Sequence, residues 1–308
     1  MWWILGIILF LLLVLIIAGE IFLHMMTKPK VMSKEHEFDF LPTFGFDFKP
    51  FYLSIPKEPF TFQSSRGYTL RGEILPADPD VSFPDGRQRA ILLAHGYTAN
   101  RYTMLSYAEI FHRLGFHVAI YDQPFHGKSE GSFCSMGYYE HMDCAELANF
   151  LRERFPKDTV WGIMGESMGA ATIMMAAPKL PWLSFVIEDC GYATMREECR
   201  ASLGYKMNLP GEPLTFISGI LLRLHYHFSA DWVKPIESVP HIPQPMLFIH
   251  GGVDRFVPTE CVHRLFSAKK GPKELHIFED VPHAKSSLMH HEECLDLIRD
   301  FLQKYALL

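Results

Sequence analysis

The N-terminal part of the chain carries the longest hydrophobic pattern in the sequence. Apolar residues run without interruption from Trp2 to Gly19, Glu20 breaks the run, and three more apolar residues follow. As a helix this run is about 27 Å long, which is close to the thickness of a bilayer core. No basic residue precedes the run and no A-x-A site follows it, so the pattern favours a membrane anchor over residues 1–27 rather than a cleaved signal peptide. A helix buried in the folded domain is the remaining alternative, and it would need a packing partner on every face.

The residues after this anchor predict its orientation. Lys28, Lys30 and Lys34 follow the apolar run, whereas no Lys or Arg precedes it. The positive-inside rule therefore places the rest of the chain in the cytoplasm. Residues 28–57 contain several prolines and show no clear period, so we predict a linker that leads through a strand into the folded domain.

Short apolar runs alternate with helical stretches from about residue 58 onward. Runs at 60–62 and 68–74 predict a leading antiparallel pair of strands. Six further runs are short and apolar: 90–94, 117–121, 159–164, 185–188, 246–249 and 275–278. Because buried strands separated by helices form parallel sheets, the fold class is α/β over residues 58–308, with a mostly parallel sheet covered by helices on both faces.

Two helices near the C-terminus are predicted from the residues at their ends. Pro258 suits a first helical position before residues 259–270, and Gly271 follows as a stop signal. Residues 286–305 place apolar side chains at helical spacing and predict a closing helix.

Residues 193–244 separate two predicted strands by more than one crossover helix requires. We predict a small helical lid over the carboxyl edge of the sheet, where open α/β sheets bind ligands. Its stretch Leu214–Leu222 is apolar almost all round. This stretch either packs on the core, which we favour, or guides a lipophilic acyl chain from the bilayer into the domain.

Charge and cysteine content exclude several functions. The net charge of −6 offers no basic surface for nucleic acid. The six cysteines form no C-x-x-C pair, so neither a zinc knuckle nor a thioredoxin-type site is indicated. Their spacing leaves disulfides open, but reduced and buried thiols in a non-oxidising compartment are the simpler expectation.

A G-x-S-x-G pentapeptide, Gly165–Gly169, lies between a predicted strand and a predicted helix. This is the setting in which the motif presents its serine at a sharp turn, and the glycines let the two backbones approach. Ser167 is therefore the candidate nucleophile, and a purely structural turn is the alternative.

A serine nucleophile needs a base, and the base needs a carboxylate to orient it. Asp254 and His283 both follow predicted strands and come after Ser167 in the order that this architecture uses. A turn carboxylate and a surface histidine are the simpler interpretations of these two residues. The competing acids are Asp189 and Asp231, and the competing bases are His290 and His291.

Backbone N–H groups should stabilise the oxyanion that such a serine creates. Met168 directly follows the serine at a helix N-terminus, and Tyr97 lies in the loop after the first parallel strand. The pairs His225-x-His227 and His290-His291 are the closest histidines, but neither has a carboxylate or cysteine at metal-ligand spacing. We therefore expect no metal and no cofactor.

Residues 58–305 resemble the α/β-hydrolase superfamily. The motifs that carry the resemblance are His95-Gly96-Tyr97, the loop from Asp122 to Ser129 with Gly131, Gly165–Gly169, the loop from His250 to Pro258, and Pro282-His283-Ala284. Within the superfamily, the chain is similar to bacterial serine hydrolases of the serine aminopeptidase and acyl-peptidase-like group. The resemblance implies a triad of Ser167, Asp254 and His283, an oxyanion hole from Tyr97 and Met168, and structural roles for Asp122 and His126. The familiar arginine of the Asp122 loop is missing here.

The sequence thus predicts a membrane-anchored serine hydrolase that cleaves a small acyl substrate, most simply a carboxylic ester. Peptidase, thioesterase and acyltransferase chemistry use the same triad and stay open. A non-catalytic membrane scaffold with the same fold is the alternative from a different functional class.

Overall fold

The computed structural model describes residues 2–32, 47–207 and 211–308, without the side chains of residues 206 and 207. The strands are β1 (Glu58–Gln63), β2 (Thr69–Leu75), β3 (Arg89–Ala94), β4 (His117–Asp122), β5 (Val160–Glu166), β6 (Phe185–Asp189), β7 (Met246–Gly251) and β8 (Lys273–Phe278). The helices are α1 (Trp2–Thr27), α2 (Lys49–Ser54), α3 (Leu105–Arg113), α4 (Tyr138–Arg152), α5 (Met168–Ala176), α6 (Met195–Met207), α7 (Leu214–Tyr226), α8 (Pro235–Ser238), α9 (Glu260–Ala268), α10 (Ser286–Met289) and α11 (His291–Lys304).

The strands form one sheet in the order β1-β2-β4-β3-β5-β6-β7-β8. The pairs β1-β2 and β2-β4 are antiparallel, and all the other pairs are parallel. This confirms the α/β class with a leading antiparallel pair and a mostly parallel sheet. Parallel strands end at the same edge, so the loops after β3, β5, β6, β7 and β8 meet there.

The sheet separates two apolar cores. Strands β3, β5, β6 and β7 are buried along their whole length, which explains their continuous apolar runs. Helices α4 and α5 pack on one face together with the lid, and helices α3 and α11 pack on the other. The strand β5, which leads into the serine turn, is therefore covered by helices on both faces.

Helix α1 is long and apolar enough to cross a bilayer, with a mean hydropathy of 3.0 over its most apolar stretch. Most of its side chains are exposed, and it becomes buried only near its C-terminal end, at Phe22 and Leu23. There it packs against α7. A Cβ added to Gly19 would lie 2.8 Å from Cγ2 of Ile217, so the glycine permits this close approach.

The lid segment contains α6, α7 and α8, with residues 208–210 outside the described part. Leu214 and Leu222 of α7 join the core, but Phe216, Ile220 and Leu224 are exposed. Helix α7 thus packs on the core with one face, although its sequence is apolar almost all round.

The described part of the predicted linker contains the short helix α2, and residues 33–46, which include most of the segment with the predicted entry strand, lie outside the described residues. Two predictions nearer the C-terminus were wrong. The predicted closing helix divides into α10 and α11 because His290 leaves helical geometry, with φ −127° and ψ 53°. Pro258 precedes α9 instead of opening it, since the helix begins at Glu260.

Candidate active site

The turn between β5 and α5 forces Ser167 into a strained backbone conformation, with φ 55° and ψ −117°. This costs on the order of 1–3 kcal/mol and is typical of functional turns. The flanking glycines are required by space. A Cβ on Gly165 would lie 2.3 Å from the carbonyl carbon of Gly169, and a Cβ on Gly169 would lie 2.0 Å from the carbonyl oxygen of Ala94. The turn therefore presents the serine hydroxyl at the carboxyl edge of the sheet.

The structure brings Ser167, His283 and Asp254 together in one chain of hydrogen bonds. Nε2 of His283 lies 2.9 Å from Oγ of Ser167, and Nδ1 of the same ring lies 2.7 Å from Oδ2 of Asp254. The Asp254 side chain is fully buried, whereas the His283 side chain is 21 % exposed. An Nδ1–H donated to Asp254 leaves Nε2 free to accept the serine proton.

The loop after β7 fixes the carboxylate of Asp254. Its Oδ1 accepts the backbone N–H groups of Phe256 at 2.8 Å and Val257 at 2.9 Å. Its Oδ2 is thereby turned toward His283. This is a local turn in which the aspartate side chain binds the backbone that follows it, and it explains why an aspartate occupies this position.

Sequence reasoning missed His250 and Phe256. Nε2 of the buried His250 lies 3.0 Å from the carbonyl oxygen of Val257 and 3.5 Å from Oδ2 of Asp254, so it supports this loop from behind. The Phe256 ring packs 4.8 Å from the His283 ring, centroid to centroid. The position of His250 at the end of β7 was an available signal, but no local pattern indicates that Phe256 contacts a ring in another loop.

Asp189, the competing acid, is also buried near His283, but its oxygens have other partners. The Tyr107 hydroxyl donates to it at 2.6 Å and the Ser286 hydroxyl at 3.1 Å. Burial raises the pKa of Asp189 above its ordinary value, and the nearby Asp254 adds to this. Asp189 therefore lies beside the relay without joining it.

The other competing residues lie in separate contacts. Asp231 forms an ion pair with Arg196 in the lid. His290 lies 2.9 Å from Asp280, and His291 lies 2.7 Å from Glu109. Asp231 is exposed, His290 is partly exposed and His291 is buried, and each of the three side chains has a partner away from Ser167.

The two predicted oxyanion donors lie beside the serine. Met168 is the first residue of α5, where the N–H groups have no acceptor within the helix. Gly96 lies against the serine, since a Cβ there would be 3.4 Å from Cβ of Ser167. Tyr97 and Thr98 follow it along a cleft of about 630 Å³ that contains Ser167 and His283. Thr98 has φ 65°, so this loop turns sharply above the serine.

The loop after β4 lacks its usual arginine, and the structure supplies another one. Arg101 donates a backbone N–H and a side-chain N–H to Asp122, and its guanidinium also reaches Glu73 at 2.6 Å. The backbone N–H of Lys128 donates to the same aspartate at 2.8 Å. These bonds tie the β4 loop to the loop after β3, and they fit a structural role for Asp122.

Buried histidines hold the base of the Tyr97 loop. Nδ1 of His95 lies 2.8 Å from the carbonyl oxygen of Gly96, and Nε2 lies 3.0 Å from the backbone nitrogen of Gln123. Because the Gln123 N–H is a donor, Nε2 must accept, and the ring is neutral with its proton on Nδ1. Burial lowers the pKa of His95 to about 4 and that of the neighbouring His126 to about 3.

We expect the contribution of His95 to stability to disappear in acid. Below its ordinary pKa of about 6.5 the unfolded chain binds a proton at this residue, while the folded protein does so only near pH 4. Stability from His95 is therefore present above pH 6.5 and falls as the pH decreases. When the pH is lowered from 7 to 5, the unfolding free energy of wild type should fall by about 2 kcal/mol more than that of His95→Gln. Urea unfolding at both pH values measures this shift.

The exposed His263 provides the control for this experiment. His263→Gln makes the same substitution at the surface, and the shift for His95→Gln is expected to be the larger of the two. A shift for His95→Gln that is no larger than that for His263→Gln contradicts the neutral, buried ring.

One group of side chains in the described residues has metal-ligand proximity. Ligand atoms of Cys190, Asp254 and His283 lie within 4.8 Å of one another. Burial raises the pKa of the Cys190 thiol well above its ordinary value, so it stays protonated, whereas metals bind the thiolate. Asp254 and His283 are already bonded to one another. This donor set fits a proton relay better than a metal site.

The remaining thiols and histidine pairs have structural surroundings. All six cysteines are buried and unpaired. Nε2 of His225 lies 2.8 Å from Oε1 of Glu20, which joins α7 to α1.

Comparison with known proteins agrees with this fold. The family model of the alpha/beta hydrolase fold matches residues 89–182, which include the serine turn. The uncharacterized protein YqkD of Bacillus subtilis is 31% identical over 290 residues, covering 93% of this chain and 92% of that protein. The lysophosphatidylserine lipase ABHD12 of Danio rerio is 25% identical over 211 residues, which cover 63% of this chain and 52% of the lipase.

Solved structures show the same architecture. The esterase Pf2001 of Pyrococcus furiosus superposes with a TM-score of 0.67 at 20% identity, covering 83% of this chain and 94% of the esterase. The sheet order, the serine turn and the similarity to YqkD along almost the whole length point to one conclusion. This chain belongs to the α/β-hydrolase superfamily.

Proposed function

We propose that this protein is a membrane-anchored serine hydrolase that cleaves carboxylic esters. The single observation that carries the proposal is the bonded series of Ser167, His283 and Asp254, with distances of 2.9 Å and 2.7 Å. These are the distances that proton transfer from a serine to a base requires. Membership of the superfamily supports hydrolase activity independently.

Ser167 is the nucleophile in this proposal. Its Oγ attacks the ester carbonyl carbon while its proton passes to Nε2 of His283. Asp254 keeps the Nδ1–H tautomer and stabilises the imidazolium that forms. The imidazolium then donates the proton to the leaving alkoxide, the C–O bond breaks, and the acyl group remains on Ser167.

Water completes the reaction by the same steps in reverse. His283 takes a proton from the water, whose oxygen attacks the acyl carbonyl carbon, and the proton then returns to Oγ of Ser167. Both tetrahedral intermediates carry a negative oxygen. The backbone N–H groups of Tyr97 and Met168 are the proposed donors to it, and removing one such donor typically costs 10²–10³ in rate, so we expect them to contribute about 3 kcal/mol each.

Ester cleavage is preferred over the other reactions of the same triad. Two of the similar proteins are named an esterase and a lipase. Helix α1 supports a membrane location, because its exposed apolar side chains need a lipid environment. Lys28 and Lys30 after the helix favour a cytoplasmic position for the hydrolase domain, and the six unpaired thiols are consistent with that compartment.

A fluorophosphonate probe tests the proposed nucleophile directly. Such a probe reacts with serines that a neighbouring base activates. We expect one adduct, located by peptide mass spectrometry on the peptide that contains Ser167, and we expect denatured protein to remain unlabelled. A folded protein that neither reacts with the probe nor hydrolyses p-nitrophenyl acetate would favour the non-catalytic scaffold.

A further inference from the structure

An apolar pocket of about 550 Å³ lies between helix α1 and the lid helix α6. Its lining consists of Phe22, Met25, Met26, Tyr97, Met136, Glu198, Cys199, Ser202 and Phe256. The polar groups in this lining have partners within it, since the Ser202 hydroxyl donates to Glu198 at 2.9 Å and the Tyr97 hydroxyl donates to the carbonyl oxygen of Met25. The pocket therefore suits a hydrocarbon chain better than a polar group.

The pocket adjoins the site of Ser167 through two aromatic residues. Tyr97 lines both the pocket and the cleft that contains the serine. Phe256 lines the pocket and packs on the ring of His283. These two rings therefore form the boundary between the pocket and the site of Ser167.

A second crevice continues the pocket away from the serine. It has a volume of about 320 Å³ and shares Phe22, Met26 and Cys199 with the first pocket. Its other walls include Thr215, Ser218 and Leu222 of α7. The pocket and the crevice thus run along the end of α1, between the lid helices α6 and α7.

Helix α1 is fixed in place against the domain. The Tyr97 hydroxyl donates to the carbonyl oxygen of Met25, and the backbone N–H of Cys134 donates to that of Thr27 at 2.7 Å. Further along, the N–H of Met32 donates to the carbonyl oxygen of Thr98 at 2.9 Å. The C-terminal end of α1 and the residues after it are therefore a permanent wall beside the Tyr97 loop.

The outer side of helix α7 is apolar as well. Phe216, Ile220 and Leu224 lie four residues apart on α7, and each is exposed. Residues at this spacing share one face of a helix. Helix α7 packs on α1 near Gly19, so this exposed apolar face belongs to a helix that lies beside the end of the proposed membrane span.

From these observations we infer that the end of helix α1 forms one wall of an acyl-chain site, and that the substrate is a long-chain acyl ester taken from the bilayer. The inference rests on the proposed function and specifies its substrate class. The helix then has two roles, since it holds the enzyme on the membrane and also determines which chain lengths fit.

The test measures kcat/KM of the full-length protein in phosphatidylcholine vesicles with p-nitrophenyl acetate, butyrate, octanoate and decanoate. We expect wild type to prefer decanoate over acetate by at least about tenfold, because each further methylene of the acyl chain removes apolar surface from water when it enters the pocket. Met25→Trp places a larger side chain in the pocket and should lower the ratio of decanoate to acetate about tenfold. Met25→Ala enlarges the pocket and should raise that ratio or move the preference to longer chains.

Ile8→Trp is the matched control, because it adds the same ring to an exposed position of the same helix, far from the pocket. Its ratio of decanoate to acetate should equal that of wild type. A flat wild-type profile, unchanged ratios in both Met25 variants, or an equal change in Ile8→Trp would overturn the acyl-chain site while short esters are still hydrolysed. If the protein hydrolyses no ester and is not labelled by the fluorophosphonate, the result contradicts the proposed function itself.

Discussion

Replacing Ser167 with alanine is expected to lower kcat for ester hydrolysis by about 10⁶-fold. The substitution removes the proposed nucleophile, the hydroxyl that lies 2.9 Å from Nε2 of His283. The fold should persist, since alanine keeps the Cβ and the Ser167 hydroxyl is bonded to no other group than His283 among the described residues. Steady-state kinetics with p-nitrophenyl butyrate measure the loss, and thermal unfolding checks the fold.

Ser267→Ala provides the comparison for this variant. This serine lies exposed on α9, where its hydroxyl donates to the carbonyl oxygen of His263. We expect its kcat to stay within about twofold of wild type, as is usual for surface substitutions. Residual activity above about one percent in folded Ser167→Ala would mean that another group attacks the ester.

Asp254→Asn is expected to lower kcat by about 10⁴-fold with little change in structure. The asparagine oxygen can still accept the backbone N–H groups of Phe256 and Val257. Its NH₂ group then faces Nδ1 of His283, so this nitrogen must accept, and the ring proton moves to Nε2. In that tautomer His283 cannot take the proton of Ser167, and the base is lost although every side chain remains in place.

Asp189→Asn is the matched control for the second variant, because it makes the same change at the competing acid. Asp189 is bonded to Tyr107 and Ser286 instead of to His283. We expect kcat to remain within about tenfold of wild type. A larger loss in Asp189→Asn than in Asp254→Asn would reassign the acid of the triad, and the fluorophosphonate reaction rates of both variants should follow the same order as kcat.

The order of strands and helices was predictable because its signals are local. Buried parallel strands appear as short apolar runs, and the structure places strands over all eight predicted runs with bounds that differ by one or two residues at most ends. The serine turn was predictable for the same reason. A glycine stands two residues before and two residues after the serine, and this pattern between a strand and a helix is visible within five residues of sequence. For Gly165 the steric reason is local as well, because a Cβ there would meet the backbone of Gly169.

Helix boundaries at the C-terminal end were not predictable. The break at His290 depends on contacts of its ring with Asp280 and Glu293. The first of these is in a different loop, and no periodicity in residues 286–305 indicates it. The arginine that replaces the missing one in the Asp122 loop is a similar case, because Arg101 belongs to another segment and reaches the aspartate only through the fold.

The sequence by itself determined the α/β architecture, the apolar N-terminal helix and the candidate residues Ser167, Asp254 and His283, because hydrophobic periodicity and turn preferences depend on neighbouring residues. Only the tertiary structure decided that His283 is bonded to Asp254 and not to Asp189, since one carboxylate ends β6 and the other follows β7 at the same edge of the sheet. It also decided that the end of α1 lies beside the Tyr97 loop. Such contacts join residues far apart in the chain, and their distances follow from how the layers pack.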